Sequence, residues 1–370
     1  MSPDLPAAHP APPAGRVSDP ENLFGRDREA LRAALAPWSD RAYHAGQLFR
    51  WMYARRATDF EAMTDLPGAL RSALRDRFRI DWPRIREVRE SPSDGSKKYV
   101  LALEDGAEVE SVYILYGRRV TLCLSSQVGC PLACRFCLTG TMGLVRNLEA
   151  GEILGQAAVL AQENGLAPGS FRVVFMGMGE PLNNYDAVMA AFRTLADPEG
   201  FGLAPRRITL STVGLVPGIE RLGGESPRPR LAISLGTARD DVRDDLMPIN
   251  RKYPLEALID ACRRFPLAPR ERVTFEYILL AGVNDGAADA RRVAMLLRGV
   301  RGKVNLIPYN EAGVEGFHTP APTTARRFRD ALLAHGLPAT IRWSKGRDIG
   351  AACGQLARGP LAVAPAPPIP

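Results

Sequence analysis

The chain has 370 residues, of which 46% are hydrophobic and 24% charged, with a formal net charge of +7. That length leaves room for one large barrel domain plus a small accessory domain, and that balance excludes a disordered or fibrous chain. No apolar run reaches the length of a membrane-spanning helix, the first residues lack the basic-then-apolar pattern of a secretory signal, and the basic excess leans toward a polyanionic partner.

In chain order, residues 1–20 and 358–370 are rich in Pro and Ala and read as disordered tails. Residues 21–90 read as a helical, basic accessory module. Leu48, Trp51 and Met52 share one helix face at i, i+3 and i+4, with Trp51 taken as a core residue. A second helix from Pro67 to Phe78 turns Leu70, Leu74 and Phe78 inward and Arg71, Arg75 and Arg77 outward. Those arginines either form a solvated face or meet an RNA backbone. Residues 91–118 alternate as a linking β-hairpin that turns at Glu104-Asp105-Gly106. Glu110, in its second strand, reads by itself as an outward-facing strand residue.

From 119 to 357 strands and helices alternate. The expected strands are Val120–Ser125, Arg172–Met176, Arg207–Ser211, Leu231–Leu235, Val273–Leu280, Val304–Pro308 and Thr340–Trp343. Helical patterns between them include Glu149–Glu163, Ala187–Leu195, Leu255–Phe265, Ala287–Leu297 and Thr324–His335. This βα alternation implies parallel strands with right-handed crossovers. About six repeats is too few for a closed eight-stranded barrel, so the expected fold is α/β, a partial (β/α)6 barrel open on one side. Chemistry in such barrels sits at the C-terminal strand ends. Here those ends carry the loop after Ser125, the turn Gly177-Met178-Gly179-Glu180-Pro181, Ser211, Ser234-Leu235-Gly236 and Asn310.

Three of the six cysteines, Cys130, Cys134 and Cys137, are spaced Cys-x3-Cys-x2-Cys in one loop. Thiols packed that closely hold a metal or a cluster more often than they merely fill space. A tetrahedral zinc needs a fourth Cys or His. The nearest candidate, Cys123, lies seven residues upstream in an expected strand, and none of the four histidines is in the loop. Three ligands point instead to a 4Fe–4S cluster with one iron open. Of the other cysteines, Cys262 falls on an apolar helix face and reads as structural. Cys353, in a Gly-rich loop after the last strand, reads as accessible and reactive, and Cys123 could meet it across the barrel mouth.

The cysteine loop, with Phe136 before its third cysteine, resembles the signature of the radical S-adenosylmethionine (SAM) superfamily, and Gly177-Met178-Gly179-Glu180 resembles the segment that holds the amino group of SAM there. The ordered stretches TLCLSSQVGC, RNLEAGEI, MGMGEPLNN, STVGLVPGI, LMPINRKYPL, VTFEYILLAGVNDG, VNLIPYN and DIGAACGQL together resemble the RlmN family, from roughly Leu23 to Leu356. The resemblance implies a [4Fe-4S] cluster and SAM as cofactors, and methylation of adenine C2 in 23S rRNA and in the anticodon loop of tRNA. It also implies a flavodoxin or ferredoxin as electron donor and a cytoplasmic, membrane-free setting. By position it assigns cluster binding to Cys130, Cys134 and Cys137 and SAM contacts to Gly179, Glu180, Ser211, Ser234, Leu235, Gly236 and Asn310. Cys353 would carry a methyl group on its sulfur, Glu110 would remove the C2 proton, and Cys123 would resolve a protein–RNA link by forming a disulfide with Cys353. The related Cfr enzymes, which methylate C8, carry the same cysteines, so C8 methylation stays open, as does a non-catalytic cluster protein that binds RNA. The chain departs from the family at Gly236, where a His is usual, at Leu144, where a Phe is common, and at Lys345, where an Arg is usual.

Overall fold

A computed structural model of the chain describes residues 20–311, 314 and 316–357. The tails read at 1–20 and 358–370 therefore lie, apart from Pro20, outside the described residues. The strands are β1 (Glu21–Asn22), β2 (Phe78–Arg79), β3 (Arg84–Glu90), β4 (Lys97–Ala102), β5 (Glu108–Tyr116), β6 (Arg119–Leu124), β7 (Gln127–Cys130), β8 (Gly143–Asn147), β9 (Arg172–Phe175), β10 (Ile208–Thr212), β11 (Arg230–Ser234), β12 (Val273–Leu279), β13 (Gly302–Pro308) and β14 (Ala339–Ile341). The helices are α1 (Arg28–Leu35), α2 (Ala42–Tyr53), α3 (Gly68–Arg77), α4 (Leu138–Thr141), α5 (Ala150–Glu163), α6 (Tyr185–Ala196), α7 (Val216–Gly223), α8 (Asp240–Leu246), α9 (Leu255–Arg264), α10 (Ala287–Leu296) and α11 (Pro322–Ala334).

One ten-stranded sheet runs in the order β14-β13-β12-β11-β10-β9-β6-β5-β4-β3. From β14 to β6 every pairing is parallel, and β5, β4 and β3 continue it antiparallel. Parallel strands covered on both faces need continuous apolar runs, and Leu231, Ala232 and Ile233 of β11 are all but fully buried. The sheet curls until β5 reaches the β14 edge: the Tyr116 hydroxyl, closing β5, donates 3.0 Å to the carbonyl of Trp343, just beyond β14. The result is the expected radical SAM type of α/β sheet, whose seven parallel strands correspond to the seven expected from the sequence.

Two local expectations need correction. Residues 84–90, within the stretch expected to be helical, form β3, which pairs with β4, so the linking hairpin of β4 and β5 supplies two strands of a three-stranded antiparallel extension. Its alternation was masked by the charged pattern RIREVRE, whose strand is exposed along almost its whole length. Where the sequence pattern predicts only a loop, a small hairpin of β7 and β8 encloses the cysteines.

The N-terminal helices pack Leu31, Leu35, Leu48, Phe49, Met52, Leu70 and Leu74 into one core. Trp51 is only partly buried, with its ring N–H donating 2.6 Å to Asp65 and Arg55 stacked 3.9 Å from its centre. Arg28 ties this module to the end of α6 by donating 2.9 Å to both Asp197 and Glu199, and Arg50 donates 2.5 Å to Glu199. Of the arginines read as outward, Arg71 donates 2.6 Å to the Glu61 carbonyl and Arg75 pairs with its carboxylate at 2.7 Å. Among the described residues no helix is long and apolar enough to cross a membrane.

Candidate active site

The site is framed by buried polar side chains at the top of β6. Gln156 of α5 accepts from the Ser125 N–H at 2.8 Å and donates back to its carbonyl at 3.0 Å. The Ser125 hydroxyl accepts the Met178 N–H at 2.8 Å. These bonds join the strand before the cysteine loop to the Gly177–Glu180 turn, where ladder pairing has ended. Gln127 then accepts the Glu180 N–H at 2.9 Å. Gly179, at φ +96°, approaches Gln127 so closely that a Cβ would lie 2.5 Å from the Gln127 Cβ, which restricts this position to glycine.

A cavity of about 150 Å³ opens at the C-terminal ends of the parallel strands. Cys130, Cys134 and Cys137 line it together with Gly179, Glu180, Ser211, Ser234 and Gly236. Cys353 also faces it, and borders a second, narrower cleft that contains Cys123, Met176 and Arg342. The loop that carries Cys353 is pinned from several sides. Leu138 N–H donates to the Gly354 carbonyl at 2.9 Å, the Thr139 hydroxyl to Leu356 at 2.6 Å, and Asn310 to the Cys353 carbonyl at 3.3 Å.

Burial governs the electrostatics. It pushes the Cys130 thiol up to about 11 and the Cys123 thiol up to about 12, and raises Cys134 and Cys137 in the same direction. Glu180 is 3% exposed, and burial lifts its carboxyl to about 7 against the pull of the Val213 and Leu182 N–H groups, which it accepts at 2.9 and 3.0 Å. A carboxylate of this kind wants a cationic ligand, and the thiols want a metal charge to ionise.

All three loop cysteines are free thiols lining the cavity. Among the described residues no three His, Cys, Asp or Glu side chains converge closely enough to grip a single metal ion. Cys130, Cys134 and Cys137 are the cavity-lining residues that could hold a cluster.

Several expected site residues stand elsewhere. The Leu235 side chain is fully buried in the core, and Leu235 does not line the cavity. Asn310 braces the Ser344 hydroxyl and the Cys353 carbonyl and does not line the cavity. Glu110 is 4% exposed and points into neither space, rather than outward as its strand position alone implied. Cys123 and Cys353 are both free, so the disulfide between them is not formed in this structure. Cys262, on α9, is buried at 1% exposure.

Three residues escaped the sequence reading. Glu276 lines the cavity, and one of its oxygens is buried with no hydrogen-bond partner. Its signal was a lone charge in the apolar run VTFEYILL. Arg342 enters the second cleft from the end of β14. Arg243 is fully buried and donates to the carbonyls of Leu235 and Val213 at 2.9 and 2.6 Å and to Asn250 at 2.9 Å. In sequence it sits within DDVRDDL, which looks like a solvated helix face.

The superfamily model for radical SAM proteins matches residues 124–293, and the model for the N-terminal domain of ribosomal RNA large subunit methyltransferases matches residues 21–80. A dual-specificity RNA methyltransferase RlmN from Syntrophotalea carbinolica is 48% identical over 91% of this chain and 89% of its own length. A probable enzyme of that name from Moorella thermoacetica is 49% identical over 91% of this chain and 96% of its own. A crystal structure of a radical SAM methyltransferase from Sphaerobacter thermophilus superposes with a TM-score of 0.85 at 43% identity, covering 91% of this chain and 99% of that one. With its cysteine loop, Gly-x-Gly-Glu turn and N-terminal module all accounted for, the chain belongs to the RlmN family within the radical SAM superfamily.

Proposed function

We propose that the chain methylates C2 of an adenine in 23S rRNA and in the tRNA anticodon loop, in the cytoplasm, with electrons from a flavodoxin or ferredoxin. The observation that carries this reading is the position of Cys353, which borders both the cavity of the loop cysteines and the cleft of Cys123. C2 of adenine offers neither a lone pair nor a useful acid to a polar methyl transfer. A bound [4Fe-4S] cluster and SAM supply the one-electron chemistry that such a carbon requires.

In this reading Cys130, Cys134 and Cys137 hold the cluster. The backbone edge at Gly179 and the Glu180 carboxylate take the amino group of SAM, and the strand ends at Ser211, Ser234, Leu235 and Gly236 line the rest of it. Asn310 serves by bracing the Cys353 loop. The Cys353 sulfur carries a methyl group; with a cluster and SAM bound, that group would lose one hydrogen atom to their one-electron chemistry, its carbon would bond to C2, and the one electron left over as the C2 proton departs would leave by the same route. Glu110 accepts the C2 proton. The Cys123 thiolate then attacks the Cys353 sulfur: an S–S bond forms, the S–C bond breaks, and its electron pair stays on the carbon, which takes a proton to become methyl. An adenine reaches this depth only when unstacked from its neighbours, at a cost of a few kcal/mol. The N-terminal module would grip the surrounding backbone.

Reconstituted protein with SAM, reductant and separate rRNA and tRNA pools, followed by nucleoside mass spectrometry, tests the reading. 2-Methyladenosine is expected in both pools. 8-Methyladenosine, or no methylated adenosine, overturns it.

A further inference from the structure

Lys98 on β4 and Glu110 on β5 form an ion pair whose side chains are 1% and 5% exposed, with Nζ 3.0 Å from one carboxylate oxygen. Burying two charges in a sheet confers little stability, since a well-packed apolar pair would serve the fold as well or better. The second oxygen accepts the N–H of Ala357 at 2.9 Å, four residues past Cys353. The oxygen that would take a proton is thus occupied by the backbone of the segment that carries the working cysteine. The same segment is held on its other side by Leu138 and Thr139 of the cluster-loop helix. It spans the gap between the cysteine loop and Glu110.

We infer that Lys98 and Glu110 form a latch for the Cys353 segment, so that release of the Ala357 N–H frees the carboxylate and the cysteine together. Lys98 is a positioning residue: it fixes one carboxylate oxygen, leaving the other to hold or release the Ala357 N–H. The latch stands on these hydrogen bonds, and only its link to proton removal rests on the proposed methylation.

The test is alkylation of Cys353 by iodoacetamide in the reconstituted holoenzyme without SAM, followed by peptide mass spectrometry, with buried Cys262 as an internal control. Ala357→Pro removes the donor and leaves the buried pair intact. It is expected to speed Cys353 alkylation about tenfold, the ratio set by one charge-assisted hydrogen bond, without changing Cys262. Lys98→Met is expected to act in the same direction at Cys353 alone. An Ala357→Pro enzyme alkylated at the wild-type rate overturns the latch. Equal acceleration of Cys353 and Cys262 in Lys98→Met reduces Lys98 to general stability and overturns its positioning role. A wild type that yields no methyladenosine while Ala357→Pro still accelerates Cys353 sinks the proposed methylation and leaves the latch standing.

Discussion

Replacing Arg243 by Met would remove a guanidinium that holds two strand ends beside the cavity. Its donors reach Leu235 O and Asn250 Oδ1 at 2.9 Å, Val213 O at 2.6 Å and Ser234 O at 3.3 Å. Burial pulls this group down to about 10, so part of what is lost is repaid by relieving a desolvated charge. Each carbonyl left unpaired and buried costs about 1–3 kcal/mol. Three or four of them, less the relief, leave a net loss of about 3 kcal/mol. For a chain of this size that corresponds to a fall in Tm of roughly 4 °C. Arg243→Lys, with one compact donor group in place of a planar fork, should lie between the two. Differential scanning calorimetry reads the Tm, and titration calorimetry of the reconstituted enzyme reads SAM affinity, which should weaken as the edge at Val213–Gly236 loosens. An Arg243→Met protein that melts within 1 °C of wild type would refute the claim that this side chain organises these strand ends.

Other outcomes follow from the same geometry. Gly129 sits at φ +78°, and a Cβ there would lie 2.0 Å from the Gly143 carbonyl, so Gly129→Ala should pry open the β7–β8 hairpin and reduce iron content and the cluster's visible absorbance after reconstitution. Restoring the family's His at Gly236 should destabilise the chain, because φ is +73° and a Cβ would lie 2.6 Å from the Met247 sulfur. Adding Met247→Ala should recover part of that loss in a thermal melt, and no coupling would argue against the contact. Hydrogen bonding by Arg28 holds the Asp197 carboxyl below its usual range, and Arg50 does the same for Glu199. Depressed carboxyl values stabilise the fold above the unfolded value near 4 and lose that stabilisation as pH falls through the folded one. Wild type should therefore lose about 1 kcal/mol more than Arg28→Ala between pH 5 and pH 3, as measured by urea unfolding.

Much of the parallel sheet was legible because buried parallel strands leave runs such as Leu231–Ser234 and Val273–Leu279 that few other structures need. The cysteine loop was legible because its chemistry requires fixed spacing. The polar framework was not. Gln156, Arg243 and Glu276 act on partners far away in sequence, and each lies in a local pattern that reads as a surface residue or passes without notice. Glu110 shows the limit most clearly: its place in the strand predicts an outward-facing carboxylate, whereas its enclosure by Lys98 and Ala357 depends on strand register and on the return of the chain more than two hundred residues later. Arg84–Glu90 failed for the opposite reason, since an exposed edge strand carries charges and its alternation has no core to record.

The claim that two cysteines share one site is tested most directly by Cys123→Ala. Incubated with SAM, reductant and RNA, the reconstituted variant should stall with Cys353 covalently bonded to adenine, visible as an RNase-sensitive shift on a denaturing gel and as a modified Cys353 peptide. Normal turnover without any adduct would contradict it.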